Sequence, residues 1–97
     1  MLRFEWDPVK APINRRKHGV SFEDAIHVFE DHYARFEEDR TSESGAPRWQ
    51  AIGLASGVAV LLVAHVIRGE GRGEVIRLIS ARRATRRERI LYEETCQ

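Results

Sequence analysis

The chain has 97 residues, 42% of them hydrophobic and 32% charged, with a formal net charge of +1. That length makes one domain, residues 1–97, with a single modest core, and the composition excludes disordered, collagen-like and disulfide-stapled classes. Cys96 is the only cysteine, Arg3, Glu5 and Asp7 interrupt any signal-like start, and the longest apolar stretch is Val58 to Ala64, so a reducing cytoplasmic setting with no membrane span is expected.

Leu2 to Trp6 alternates loosely and reads as a first strand. Asp7-Pro8 is a helix start, with Asp as N-cap and Pro in the first helical position. Pro12 should weaken or bend the first turns. Val9 and Ile13 share one face of this helix, and Lys10, Asn14 and Lys17 another. Gly19 is the stop. Ser21 caps a second helix, with Asp24 completing an imperfect capping box. Phe22, Ile26 and Phe29 form its expected buried stripe, and it should end near Asp31.

Tyr33 to Glu38 reads as a strand and Thr41 to Pro47 as a polar loop. Trp49 to Leu54 is a strand, Ser56-Gly57 a tight turn, and Val58 to Ile67 the clearest strand of the chain. Being apolar on both faces, it should lie centrally. Gly69 to Gly73 reads as a hairpin tip and Val75 to Ser80 as the last strand. Thr85 and Glu88 make a capping box for a final helix containing Ile90, Leu91 and Tyr92. The order is β-α-α-β-β-β-β-α. The fold class is therefore α+β, a mostly antiparallel sheet with two N-terminal helices and one C-terminal helix.

Charge is segregated along the chain. Residues 21–45 are acidic, with only Arg35 and Arg40 opposing their carboxylates, which suggests a surface for a basic partner. From Arg68 to Arg89, eight arginines face three glutamates, which suggests a basic surface. Arg82 and Arg83 lie where the last strand is expected to leave the sheet. The guanidinium fork suits phosphate, and the bland alternative is solvated arginines paired with Glu88, Glu93 or the acidic middle. Lys17-His18 before Gly19 is a second candidate, since imidazole can exchange protons near neutrality. A lone histidine beside a helix end is more often a C-cap donor than a catalyst. His65 stands among Leu61, Val63 and Ile67, where a packed core histidine is as reasonable as a site residue. By alternation it points away from Arg68. Glu23 and Asp24 are accounted for by the start of the second helix. The chain contains no P-loop, dinucleotide fingerprint or cysteine cluster, so no cofactor and no metal site is expected.

From Phe4 to Glu94 the sequence resembles the BrnT family of toxins from bacterial type II toxin–antitoxin modules. The resemblance is carried by Trp6-Asp7-Pro8, Lys10, Asn14 and Lys17-His18-Gly19-Val20-Ser21-Phe22, then by Val28-Phe29 and Asp31. It closes on Ile79-Ser80-Ala81-Arg82-Arg83-Ala84 with Arg86, Arg87, Glu88 and Tyr92. The chain departs from the family pattern at Ala46-Pro47, often acidic there, at His65, often Tyr, and in a longer tip at Gly69 to Gly73.

The resemblance implies a RelE-like fold and a ribonuclease that needs no metal. It also implies a BrnA-like antitoxin of the ribbon-helix-helix type, a heterotetramer, and contact with operator DNA through that antitoxin. Cleavage through the RNA's own 2′-hydroxyl requires a base, cations for the pentacoordinate phosphate and an acid for the leaving oxygen. On this reading Arg82 and Arg83 stabilise the phosphate, with Arg48 or Arg68 assisting. His18, Lys17 and Tyr92, in that order, are the candidates for proton transfer. Arg86 and Arg87 make supporting RNA or antitoxin contacts. The competing reading is a non-catalytic co-repressor whose arginines dock a DNA-binding partner or DNA.

Overall fold

A computed structural model describes residues 2–39 and 47–96 of the chain. Five strands form one sheet: β1 (Phe4–Glu5), β2 (Arg35–Asp39), β3 (Arg48–Ala55), β4 (Ala59–Arg68) and β5 (Val75–Arg83), in the order β1-β5-β4-β3-β2. All neighbours are antiparallel except β1, which runs parallel to β5. As its two-sided apolar sequence predicts, β4 is central. Leu61 and Val63 face one layer and Leu62 the other, all buried. The polar loop expected over Thr41 to Pro47 lies, but for Pro47, outside the described residues.

One face of the sheet carries α1 (Lys10–His18), α2 (Phe22–Ala25) and a 3-10 helix (Ile26–Glu30). Their Val20, Phe22, Ala25 and Val28 pack on Ala51, Leu61, Val63, Leu78 and Ala81 to form the main core. The other face carries α3 (Arg86–Thr95), under which Tyr92 meets Ile52 and Leu62 in a smaller cluster.

Local signals act largely as read. The Asp7 carboxylate accepts the Val9 N–H at 2.8 Å and its carbonyl accepts those of Lys10 and Ala11, so Asp7 caps the turn that leads into α1. Pro12 falls early in α1 and does not break it, because its missing N–H belongs to the poorly bonded first turns. Gly19 ends the helix at φ 72°, a left-handed conformation that glycine adopts without a Cβ clash. The hairpin between β3 and β4 turns on Ser56 (φ 53°) and Gly57 (φ 70°), the twist that a two-residue turn needs.

Three expectations are corrected. The stripe of the second helix is Phe22, Ala25 and Val28, not Phe22, Ile26 and Phe29, which leaves Ile26 and Phe29 half-buried. Four residues of α-helix give way to a 3-10 turn, and its period of three selects every third side chain. On α1 Asn14, grouped with Lys10 and Lys17 by spacing, is buried while both lysines are exposed, and the face of Val9 and Ile13 is exposed as well. The helix docks through the stripe Ala11, Asn14 and His18, whose spacing of three and four residues puts them on one side. Last, β5 continues past Ser80 to Arg83, because Arg82 and Arg83 still pair with Leu62 and Leu61.

Gly53 permits the close packing of the helical layer. A Cβ there would stand 2.8 Å from a Val28 methyl and 3.2 Å from the Ala34 Cβ, so any side chain would force the 3-10 helix away from the sheet.

Candidate functional site

Alternation along β5 decides which arginine goes where, and it is interrupted once. Ala64 pairs with Ser80 and His65 with Leu78, which leaves Ile79 without a partner. This one-residue bulge reverses the phase of the strand. Before it, Ile76 and Leu78 face the helical layer; after it, Ala81 does. Arg83, two residues further on, points the same way, and Arg82 points toward α3.

Arg82 is engaged. Its guanidinium grips Glu88 with two bonds, 2.8 and 3.0 Å long. The Glu88 carboxylate also accepts the Thr85 N–H at 2.8 Å, and Thr85 caps the Glu88 N–H in return. The bonds from Arg82 hold the Glu88 carboxyl below its usual range, although partial burial works the other way, and the same bonds push the Arg82 guanidinium up. Arg82 thereby fastens the end of β5 to the start of α3.

Arg83 is exposed, and its side chain makes no hydrogen bond or ion pair among the described residues. It borders a cavity of about 200 Å³ together with Gly19, Val20, Asp24, Ser56 and Leu61. It also borders a second hollow, with Ala84, Arg89 and Glu93, on the α3 side. Lys17 and His18 end α1 immediately before this cavity. Lys17 is exposed and His18 half-buried on the sheet-facing stripe. Their placement depends on Asn14. Its amide nitrogen donates to the carbonyls of Val20 (3.1 Å) and Ala81 (2.9 Å), and its oxygen accepts the Ala81 N–H (3.2 Å). The end of α1 and the end of β5 are thus bonded to one buried side chain.

The other candidates are dispersed. Arg86 and Arg87 are exposed in the first turn of α3, close in sequence to Arg83. Arg48 and Arg68 lie toward the opposite end of the sheet: Arg48 pairs with Val66, whereas Arg83 pairs with Leu61. At roughly 3.3 Å per residue they are about 17 and 23 Å along β4 from the level of Arg83. Arg68 pairs with Glu5 at 3.0 Å, and Arg77 joins the same carboxylate at 3.4 Å.

Tyr92 is buried, and its hydroxyl donates to Asp31 at 2.5 Å. Burial first, and then this bond, push the phenol well above its ordinary range. Burial pushes the Asp31 carboxyl up, but bonds from the Leu54 N–H, the Tyr92 hydroxyl and the Tyr33 N–H outweigh it and hold the group low. Asp31 thus joins the end of the 3-10 helix to β3 and to α3.

His65 is a packed core histidine. It is 2% exposed, its Nδ1 lies 3.1 Å from the Val63 carbonyl, and its ring meets Phe29 edge-on. Burial pushes its pKa down, which favours the neutral ring.

Two residues of interest are given no role in the site by a reading of the sequence. Helix capping alone accounts for Asp24 there, yet its side of α2 borders the Arg83 cavity. Asp31 carries no local signal beyond an aspartate two residues before a turn N–H, the bond it makes to Tyr33. Among the described residues, no group of three or more His, Cys, Asp or Glu side chains is placed to hold a metal ion, and no helix is long and apolar enough to cross a membrane.

The separated motif residues meet in pairs: Trp6 with Phe22, Asn14 with Ala81, Arg82 with Glu88, and Asp31 with Tyr92. Comparison with known proteins agrees with that pattern. The family described as the ribonuclease toxin BrnT of type II toxin–antitoxin systems matches residues 6–88. A solved structure, the ribonuclease toxin BrnT of Brucella abortus, aligns with a TM-score of 0.66 at 25% identity, over 89% of this chain and 100% of that one. No curated protein sequence matches.

Proposed function

The chain belongs to the BrnT family of ribonuclease toxins of type II toxin–antitoxin systems, and on that premise we propose that it cleaves RNA in the cytoplasm without a metal ion. The antitoxin of such a system neutralises it; we assign that antitoxin the BrnA-like, ribbon-helix-helix type. The pair forms a heterotetramer that reaches operator DNA through the antitoxin.

The observation that carries the assignment of the site is the divergence of Arg82 and Arg83. Arg82 is consumed by Glu88, while Arg83, unpaired among the described residues, stands at a cavity flanked by the end of α1. Arg83 is therefore the phosphate ligand, and Arg82 acts as a positioning residue that fixes the strand–helix junction behind it.

In the reaction a base takes the proton of the 2′-hydroxyl. The freed oxygen attacks phosphorus, the P–O5′ bond breaks, and an acid protonates the departing 5′-oxygen. The products are a 2′,3′-cyclic phosphate and a 5′-hydroxyl. Two N–H groups of Arg83 hold the non-bridging oxygens as negative charge builds on them. His18 is the first choice for the proton transfers, since imidazole serves as acid or base near neutrality. Lys17 adds positive charge beside it. Arg86 and Arg87 bind the flanking phosphates. Arg48 and Arg68 hold phosphates some 20 Å away, roughly the length of strand between them, and not the scissile one. Tyr92, held by Asp31, positions α3 and carries no proton to the substrate.

The test is direct. Purified chain, freed of antitoxin, is incubated with RNA in EDTA, and the new ends are identified. Cyclic phosphates at equimolar protein are expected. Intact RNA, with antitoxin binding retained, would instead establish the non-catalytic co-repressor.

A further inference from the structure

One strongly apolar feature lies outside the site. At the end of the sheet remote from Arg83, Leu2, Phe29, Phe36, Trp49, Ile67 and Ile76 line a groove of about 270 Å³. Three of these residues remain open to solvent, with Leu2 55%, Phe36 49% and Ile67 43% exposed. Scattered exposed apolar residues are ordinary, but a contiguous set that forms a concave wall marks a place where something docks. The groove is firm. His65 closes its floor, bonded to the Val63 carbonyl, and the Phe29 ring packs edge-on against His65 and tilted against Phe4 and Phe36.

Charge around the groove selects the occupant. Glu38 lies beside Trp49 in the register and shares the face of Phe36. Glu30, 70% exposed, adjoins Phe29 in sequence. Strand β2 itself, with Glu37, Glu38 and Asp39 against Arg35, is the outer strand of the sheet on this side. An acidic rim repels a phosphate backbone and attracts lysine and arginine. Along β4, Ile67 is six residues from Leu61, the partner of Arg83, or about 20 Å. Arg48 and Arg68 neighbour Trp49 and Ile67 in β3 and β4, and alternation puts them on the opposite face of the sheet, so RNA that reaches them from Arg83 leaves the groove free.

We infer that this groove is the anchoring surface for the antitoxin, and that it receives a segment with apolar side chains toward Phe36, Trp49 and Ile67 and basic side chains toward Glu30 and Glu38. The inference rests on the functional reading above, and it adds where and by what chemistry the partner is held. Apolar anchors supply affinity and the acidic rim supplies orientation and speed of encounter. Because the anchor is separate from Arg83, an antitoxin held here silences the toxin only if a further part of it reaches the arginine cavity.

The test uses the full chain and the antitoxin encoded with it, titrated by calorimetry, in parallel with RNA cleavage by the free chain. Phe36→Arg and Glu38→Lys alter exposed positions. Each should weaken antitoxin binding about tenfold or more while free-chain cleavage stays as in the wild type. The Glu38→Lys loss should shrink at high salt. Wild-type affinity in both variants would overturn the inference. So would loss of self-association with antitoxin affinity intact, which would assign the groove to a second copy of the chain. Loss of cleavage alone would assign it to RNA. Absence of any antitoxin binding by the wild-type chain would bring down the functional reading itself, an outcome distinct from the others. Circular dichroism of Phe36→Arg checks its fold, and Glu38→Lys on the open edge strand is an independent second probe of the same surface.

Discussion

Asn14 and Ala81 are bonded as two peptide groups in a ladder would be. The Asn14 amide donates to the Ala81 carbonyl at 2.9 Å and accepts the Ala81 N–H at 3.2 Å. A helix side chain thus continues the hydrogen bonding of β5 where no further strand lies alongside. Asn14→Ala removes the bridge and leaves buried backbone groups unpaired, a cost of about 2–4 kcal/mol. Urea denaturation should show that loss, and cleavage should fall with it because Lys17 and His18 are displaced relative to Arg83.

The two neighbouring arginines should part company in mutagenesis. Arg83→Ala is expected to lower cleavage about 10²–10³-fold with an unchanged melting temperature. Arg82→Ala should cost about 0.5–1.5 kcal/mol of stability, since the Arg82 pair is bidentate yet partly solvated, and should lower activity less. Equal losses of activity with unchanged stability in both would restore a two-arginine clamp.

The Asp31–Tyr92 bond limits stability at both ends of the pH scale. Asp31 is held below its ordinary 3.8, so its contribution is complete above that value and is lost as pH falls through the lower folded value. Glu88 behaves likewise relative to 4.5. Tyr92 is held above 10.0, so its contribution is complete below that value and is lost as pH rises beyond it. Tyr92→Phe should cost about 1–2 kcal/mol at neutral pH. It should also flatten the alkaline limb and reduce the acid-side loss. Denaturant midpoints measured from about pH 3 to about pH 11, a range that takes in the onset of both losses, would reveal a profile unchanged by the substitution if the bond is idle.

Arg86 and Arg87 are assigned to flanking phosphates. Removing either should weaken RNA binding without sequence preference and reduce the logarithmic salt slope by about 0.7. A loss confined to one RNA sequence would point to base contacts instead.

Much of this fold is legible in the sequence because its boundaries are set locally. Ser21, Gly19, Thr85 with Glu88, and Ser56-Gly57 each act within a few residues, and β4 announces its place by being apolar on both sides. The errors come from longer range. Nothing within α1 shows that Asn14 will find the Ala81 backbone, 67 positions away, so periodicity alone groups Asn14 with the lysines and sets Val9 and Ile13 apart as the apolar face. The 3-10 geometry after Ala25 follows from the fit of Val28 over Gly53, which no helical period reveals. The site is legible as a composition, many arginines in a short stretch. Its division into a bonded and an unbonded arginine is not, because a bulge leaves no mark in the residues that form it.

That bulge makes the site a matter of counting. Were Ile79 drawn into the ladder instead of bulging from it, β5 would alternate without interruption, and Arg82 and Arg83 would exchange sides although neither had been altered. The segment from Ser80 to Glu88 therefore tolerates no change of length, however freely its side chains vary. The Gly69 to Gly73 tip, upstream of the phase reversal and joined to it only through a continuous ladder, can lengthen or shorten without turning a single arginine. Relatives that keep the site should vary in length at the tip and keep a constant spacing from Ser80 to Glu88.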